Sequence, residues 1–199
     1  MDNNERIKFE NYSNKRISIG ITENGVRRYS GFIPWENTGH AFNMRTPNIY
    51  FEEADLHDST ILNRLELFEV IGCYIFTPLS DYSFLSRFSK IEDLYIEHAQ
   101  NLRDLSFAQN MSEWFMCYLE DATLENLDDL FLQKAHATGI HAYCFGLTNC
   151  QVKNIDAIAT SSIRLSELII RGDDSEYEKA RWRAVPALKR RYYTIKPKE

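Results

Sequence analysis

Evenly spaced apolar residues between positions 62 and 173 constrain the fold of this chain more than any other feature. Each instance has an apolar residue followed by apolar or small residues three, five and eight positions later, and the last instance ends on Asp173. The instances begin at Leu62, Ile91, Trp114, Ile140 and Leu165, and their second positions are 29, 23, 26 and 25 residues apart. Near-constant steps of this length are typical of stacked repeats. The sequence therefore predicts five short strands that bury one continuous core by stacking.

The residues that follow the second instance resemble a known repeat family. In the string IEDLYIEHAQNLRDLSF, residues 102–107 follow the strand segment, and the phrases LSDYSF at 79–84 and NIDAI at 154–158 echo them. This pattern resembles the leucine-rich-repeat family, in particular its bacterial, internalin-like variety, over about residues 62–173. The resemblance implies an α/β fold, a short solenoid with parallel strands on its concave face. The asparagine that the family places after each strand is replaced here, so the resemblance implies irregular repeats; the replacements are Val70, Ala99, Ala122, Thr148 and Asp173.

An ordinary mixed α/β domain whose strands happen to be evenly spaced is the alternative to a solenoid. In either case we expect one continuous unit in three parts. Residues 1–60 form an N-terminal cap with a β-hairpin around Asn24-Gly25, residues 61–173 carry the repeats, and residues 174–199 form a helical, basic C-terminal cap that breaks near Pro186. The N-terminal cap also contains a possible degenerate repeat, formed by Ile49, Phe51, Ala54, Leu56 and Asp58.

Side chains alternate across a strand, so the residues between the core positions are expected on the concave face. These residues combine an aromatic row with an acidic row, and a gap of small residues is expected in the fourth strand at Ala142, Cys144 and Gly146. The predicted partner-binding residues are Arg64, Glu66, Phe68, Asp93, Tyr95, Glu97, Met116, Tyr118, Glu120, Glu167 and Arg171. A shifted third strand, with Met111, Trp114, Met116 and Leu119 in the core, would move Tyr118 and Glu120.

The net charge of −6 conceals an asymmetry between the body and the C-terminal segment. Residues 171–199 hold nine Lys/Arg and five Asp/Glu, whereas the preceding residues hold fourteen and twenty-four. An acidic body argues against binding to a nucleic-acid backbone and favours a basic partner. The polar N-terminus, the absence of a long apolar run and four cysteines without metal-type spacing predict a cytoplasmic protein with reduced thiols and no membrane span.

The sequence thus favours a non-catalytic module that binds a basic protein on its concave face, such as an immunity or inhibitor protein that neutralises a toxin or enzyme. The alternative is an RNA or nucleic-acid binder that uses the basic, aromatic segment 181–193. Adjacent strands could pair Glu97 with Glu120 as an acid, but stacked carboxylates on a repeat surface more often only set its charge. The scattered histidines and unclustered glycines give no metal, cofactor or phosphate site.

Overall fold

A parallel sheet of eight strands organises the protein. The computed structural model describes residues 16–25, 48–88, 90–110, 114, 116–132, 144–161, 165, 167–172 and 193–197. The strands are β1 Arg16–Ile21, β2 Asn48–Phe51, β3 Glu69–Ile75, β4 Asp93–Ile96, β5 Met116–Glu120, β6 Thr123–Leu124, β7 Cys144–Thr148, β8 Gln151–Val152, β9 Glu167–Gly172 and β10 Tyr193–Pro197. The helices are α1 Ser59–Leu65, α2 Asp128–Phe131 and α3 Asp156–Thr160, with 3-10 turns at Glu53–His57, Ser83–Arg87 and Ser106–Asn110. The predicted α/β class with parallel strands is confirmed.

The strands lie side by side in the order β10-β9-β7-β5-β4-β3-β1-β2, and β6 and β8 form a separate two-stranded sheet. From β3 to β10 the strands of the main sheet lie in the same order as in the sequence. Each connecting segment therefore returns the chain to the edge of the sheet where the next parallel strand begins. At the N-terminal end the order is inverted, because β1 lies between β2 and β3 and is parallel to both.

Two rows of apolar side chains cross the sheet on its core face. The strand register places equivalent residues beside each other at the spacing of about 4.8 Å between paired strands. One row is formed by Ile49, Ile19, Cys73, Leu94, Cys117, Phe145 and Leu168, and the other by Phe51, Ile21, Ile75, Ile96, Leu119, Leu147 and Ile170. The residues of the first row are all buried, so this row forms the centre of the core.

Short helical turns on the return segments begin at equivalent positions. The carboxylates of Asp58, Asp81 and Asp104 each accept a hydrogen bond from the backbone amide two residues later, at 2.7, 2.8 and 2.9 Å. The side-chain oxygens of Asn126 and Asn154 accept the same bond at 2.9 and 2.8 Å. A buried apolar residue stands two positions before each of these caps; they are Leu56, Leu79, Leu102, Leu124 and Val152. The predicted turn phrases at 79–84, 102–107 and 154–158 are therefore confirmed as one recurring local structure.

The register predicted for the first repeat is wrong. Leu62 and Leu65 lie in α1, and Leu67 is 73% exposed. The strand of this repeat is β3, where Cys73 takes the position opposite Leu94. The physical reason is local, because Asp58 caps the segment as a helix and directs its leucines to the core from there.

The second and third repeats have the predicted register, and the fourth is shifted by two residues. Trp114, Cys117, Leu119 and Ala122 are all buried in the core, which contradicts the alternative register for the third strand. In the fourth repeat Phe145 lies opposite Cys117, the position that was predicted for Tyr143. Tyr143 and Ile140 themselves lie outside the described residues.

The predicted N-terminal hairpin is wrong, and the residues of the possible early repeat lie in β2, in a 3-10 turn and at the cap of α1. The turn at Asn24-Gly25 forms, with Gly25 at a φ of 59°, but both sides of β1 are paired with parallel strands. Ile49, Phe51 and Leu56 are buried and Asp58 caps α1, while Ala54 is exposed. Most of the predicted C-terminal cap, residues 173–192, lies outside the described residues, and β10 adds a strand that was not predicted.

We expect Asp104→Ala to lower the free energy of unfolding by about 1 kcal/mol, because the amide of Ser106 loses its acceptor. Asp104→Asn keeps an oxygen at the same place and should be close to wild type in urea denaturation followed by circular dichroism. Equal losses in the two variants would contradict the capping role.

Candidate functional site

The face of the sheet opposite the core, called the outer face below, carries a row of aromatic side chains. The register aligns Tyr50 with Gly20, Tyr74, Tyr95, Tyr118, Gly146 and Ile169 across seven strands. The rings of Tyr95 and Tyr118 are stacked, with centroids 5.1 Å apart and an interplanar angle of 21°. Phe76 adds a third ring, 5.8 Å from that of Tyr95. Tyr74, Tyr95, Met116 and Tyr118 form a second buried apolar cluster, separate from the core.

The two tyrosines predicted as partner contacts, Tyr95 and Tyr118, are buried rather than exposed. Tyr95 is 5% exposed and Tyr118 is 2% exposed. Identical residues on neighbouring parallel strands stand one strand spacing apart, so their rings stack and remove each other's faces from water. The tyrosines therefore contribute little contact area and mainly make the outer face rigid.

The predicted small-residue gap in the fourth strand is filled by a ring. A Cβ atom at Gly146 would lie 2.2 Å from Cδ2 of Tyr118, because this ring leans over the glycine of the neighbouring strand. Gly20 is covered in the same way by Tyr50, whose ring atoms would lie 2.6 Å from an added Cβ. Glycine is required at both positions by close approach, so neither position is a ligand pocket.

Two carboxylates, Glu97 and Glu120, lie beyond the tyrosines at the carboxyl ends of the strands. The Tyr95 hydroxyl donates a hydrogen bond of 2.7 Å to Oε1 of Glu97. Burial raises the pKa of Glu120, and the nearby charges of Asp121 and Glu97 raise it further. Within the part of the chain that the structure describes, no cation forms an ion pair with Glu97 or Glu120. These two side chains are half-buried, so they are the accessible negative charges of the outer face.

The backbone turns sharply one residue beyond this row. His98, Asp121 and Asn149 occupy equivalent places and have positive φ angles of 53°, 61° and 51°. Asn, Asp and His are the non-glycine residues that tolerate this conformation best. His98 Nδ1 lies 3.5 Å from Oδ2 of Asp121, so the histidine is directed along the turns. The turns fix where each strand ends and therefore where each carboxylate stands.

The opposite end of the strands is electrically balanced. Arg16 lies 2.7 Å from Glu92, and Lys90 lies 2.8 Å from Glu69 and 3.4 Å from Glu92. Each acid of this network thus has a cation beside it. The unbalanced negative charge lies at the carboxyl ends, with Glu97 and Glu120.

Asp93 is the first residue of β4, next to Glu92, and lies on the outer face. It is paired in register with Gly72 of β3 and Met116 of β5. Burial raises the pKa of Asp93 to about 7, with a further contribution from the negative charge of Glu92. The Tyr74 hydroxyl faces this carboxyl and, as a donor, offsets part of the rise.

The structure brings six of the eleven predicted contact residues together on the outer face, namely Asp93, Tyr95, Glu97, Met116, Tyr118 and Glu120. Arg171 is paired in register with Thr148, and Thr148 is paired with Glu120, so these three residues form one row across the sheet. Glu167 is paired with Cys144. Arg64, Glu66 and Phe68 are not on a strand, which is a correction: Arg64 lies in α1 and Glu66 accepts a hydrogen bond from Nε of Arg87 at 2.5 Å. Phe68 packs against the core.

Among the outer-face residues that the sequence analysis missed are Ser18, Tyr50, Tyr74 and Phe76. The signal was present, because IGCYI at 71–75 alternates as a strand does. The leucines of α1 fitted the apolar spacing equally well, so the strand was predicted eight residues before its observed position.

The four cysteines are free thiols, as predicted. Burial raises the pKa of the Cys73 and Cys117 thiols, which disfavours reactive thiolates at these positions. In the described ranges, histidine, cysteine and acidic residues do not cluster as metal ligands would. The same ranges contain no helix with the length and apolar character needed to cross a bilayer.

No model of a known protein family matches this chain, and neither a curated protein nor a solved structure matches it. Its function must therefore be argued from the geometry and charge of the outer face.

We expect Gly146→Ala to lower the free energy of unfolding by about 1–3 kcal/mol, because the added methyl group displaces the Tyr118 ring. The same change in a Tyr118→Leu background should cost less, since a flexible side chain can move aside. Urea denaturation of the four proteins measures this coupling, and equal costs in both backgrounds would contradict the packing described here.

Asp93 should make stability depend on pH. Because its pKa is higher in the folded protein than the value of about 3.9 in an unfolded chain, folding favours the protonated form. Its contribution is complete below pH 4 and is lost as the pH rises towards 7. Asp93→Asn should therefore gain stability relative to wild type between pH 4 and pH 8, as measured by urea denaturation at each pH. A constant difference between the two proteins would contradict the raised pKa.

Proposed function

We propose that this protein is a non-catalytic, cytoplasmic binding module that holds a basic protein partner on its outer face. The observation that carries the proposal is the pair Glu97 and Glu120. Two half-buried carboxylates stand on adjacent strands and form no ion pair with the described residues, whereas Glu69 and Glu92 at the other strand ends each have a cation beside them. A partner cation is the simplest means of balancing them, since opposing charges across an interface provide orientation and specificity.

We further propose that the chain is a short, irregular leucine-rich-repeat solenoid. The recurring capped turns at Asp58, Asp81, Asp104, Asn126 and Asn154 support this, since each repeat places the same local structure behind its strand. Cys150 also supports it. It stands three residues after Leu147, as Ala122 does after Leu119, and its thiol donates to the Leu119 carbonyl at 3.3 Å and accepts from the Ala122 amide at 3.4 Å. A side chain that bridges neighbouring turns in this way takes the role that asparagine has in the family.

Charge is also unevenly distributed across the outer face, with carboxylates on β4 and β5 and a cation on β9. In register, Glu120 is followed by Thr148 and then by Arg171. Burial raises the pKa of both Tyr118 and Glu120, and the positive charge of Arg171 offsets part of each rise. Nε of Arg171 is buried and has no acceptor among the described residues. A partner that fits this face should therefore present its cations towards β4 and β5 rather than across the whole sheet.

The acidic face is suited to inhibition of a basic protein, which is the sharper form of the proposal. Toxins and enzymes that act on nucleic acids carry basic surfaces. A rigid acidic surface would compete with the phosphate backbone for the same side chains. We therefore propose an immunity or inhibitor role. The competing nucleic-acid role of segment 181–193 concerns residues that lie almost entirely outside the described part of the chain.

The test compares two double variants with the same change in net charge. Glu97→Gln with Glu120→Gln removes the proposed contact, and Glu66→Gln with Glu125→Gln removes two exposed carboxylates away from the outer face. Proteins captured from a lysate by each variant and by wild type are identified by mass spectrometry. We expect the first variant to lose basic partners that the second retains, with affinity for a purified partner reduced roughly tenfold.

Equal retention of the same basic proteins by both variants would contradict the proposal. Equal losses in both variants would also contradict it, because they would show that net charge rather than the outer face attracts the partner. Circular dichroism of the two variants establishes that both are folded.

A further inference from the structure

One row of residues on the outer face changes from acidic to basic across five neighbouring strands. Glu120 of β5 is paired in register with Thr148 of β7, and Thr148 is paired with Arg171 of β9. Lys196 of β10 is the register partner of Arg171 and continues the row. Glu97 directly follows the last residue of β4 and begins the row at its acidic end. These five residues are called the charge row below.

The charge row is symmetric about β7 in position and opposite in charge on its two sides. The strands β5 and β9 flank β7, and β4 and β10 lie one strand further out. Because paired strands are about 4.8 Å apart, Glu120 and Arg171 stand at equal distances from Thr148. Glu97 and Lys196 stand at about twice that distance in register. A half-turn about an axis parallel to β7 therefore exchanges the acidic positions with the basic ones.

The described side chains of the charge row are accessible to another surface. Leu168 is buried in the core and Ile170 packs against it, so alternation along β9 places Arg171 on the outer face. Glu97, Glu120 and Arg171 are each half-buried. In the described ranges, none of these three side chains forms an ion pair. Both the acids and the arginine thus keep charge that a partner of mixed charge could balance.

We infer that the outer face also binds a second copy of this chain, with the two sheets face to face about a two-fold axis parallel to β7. In this arrangement Glu120 of each copy faces Arg171 of the other, and Glu97 faces the register position of Lys196. An isologous interface uses the same patch twice, so each favourable contact forms twice. Packed sheets lie about 10 Å apart, a gap that a glutamate and an arginine can bridge together.

Charge rather than apolar contact holds this dimer. In the middle row of the outer face, Tyr118 is 2% exposed and Ile169 is 5% exposed, so both offer little area to a second copy. The remaining attraction comes from charged side chains near water, which salt screens. We therefore expect a weak dimer that dissociates as the salt concentration rises.

The inference goes beyond the proposed function, because the dimer needs no other protein. The two share Glu97 and Glu120, so a basic partner and a second copy exclude each other. The dimer covers these acids while no basic partner is present, and a basic partner competes with the second copy for them.

The experiment compares charge reversals by sedimentation velocity at low and at high salt. Wild type should dimerise at low salt. Glu120→Arg and Arg171→Glu each place like charges opposite one another, and each should weaken the dimer at least about tenfold. An equimolar mixture of these two variants should dimerise again, because one copy then carries only cations at these positions and the other only acids.

The control variants are Glu125→Arg and Lys153→Glu. They make the same changes in charge on an exposed ion pair away from the outer face, and neither should weaken the dimer. If circular dichroism shows that Glu120→Arg or Arg171→Glu is unfolded, Glu97→Arg and Lys196→Glu repeat the test at the ends of the charge row.

A wild-type protein that stays monomeric at low salt would overturn the inference, as would a mixture of two folded variants that does not dimerise. Equal weakening by the control variants would also overturn it. The proposed function is tested separately. Capture of basic proteins through Glu97 and Glu120 by a monomeric wild type would leave that function intact and remove this inference, and a dimer that captures no basic protein would do the reverse.

Discussion

The in-register pairing of parallel strands is the interaction on which the rest of this structure depends. In the main sheet, each strand after β3 pairs with the strand before it in the spatial order, so a residue on one strand stands beside its equivalent on the next. This places Cys73, Leu94, Cys117 and Phe145 in one buried row and Tyr74, Tyr95 and Tyr118 in another on the opposite side. No single strand could bury such rows alone, and the pairing of the strands therefore supplies both the core and the outer face.

The same pairing explains why the outer face is rigid and why its charge is concentrated. Tyrosine rings from adjacent strands fill the space above Gly20 and Gly146, so these glycines leave no gap in the outer face. Carboxylates at equivalent positions are brought to the same strand spacing, and Glu97 raises the pKa of Glu120 through its charge. The register thus places the two glutamates close enough together for the charge of Glu97 to disfavour the ionisation of Glu120.

Much of the fold could be predicted because it rests on local periodicity. The buried positions Ile91, Leu94, Ile96, Ala99, Trp114 and Cys117 follow from alternation within a strand, and the turn phrases follow from short polar caps before apolar residues. The prediction was wrong where two local structures fit the same spacing. The leucines of α1 occupy helical positions that mimic a strand repeat, and only the cap at Asp58 distinguishes the two. The position of β1 between β2 and β3 could not be predicted, because pairing between distant segments leaves no local trace.

The sequence by itself determined the α/β class with parallel strands, the residue types at each turn and the alternation that separates Tyr95 and Tyr118 from the core. Local spacing and steric preference are sufficient for these features, as the positive φ angles at His98, Asp121 and Asn149 illustrate. Only the tertiary structure decided that Tyr95 and Tyr118 are buried against each other, and that Ser18 and Tyr74 fill the space above Gly72. These features depend on which strands become neighbours, and that choice is made by the packing of the whole sheet rather than by any one segment.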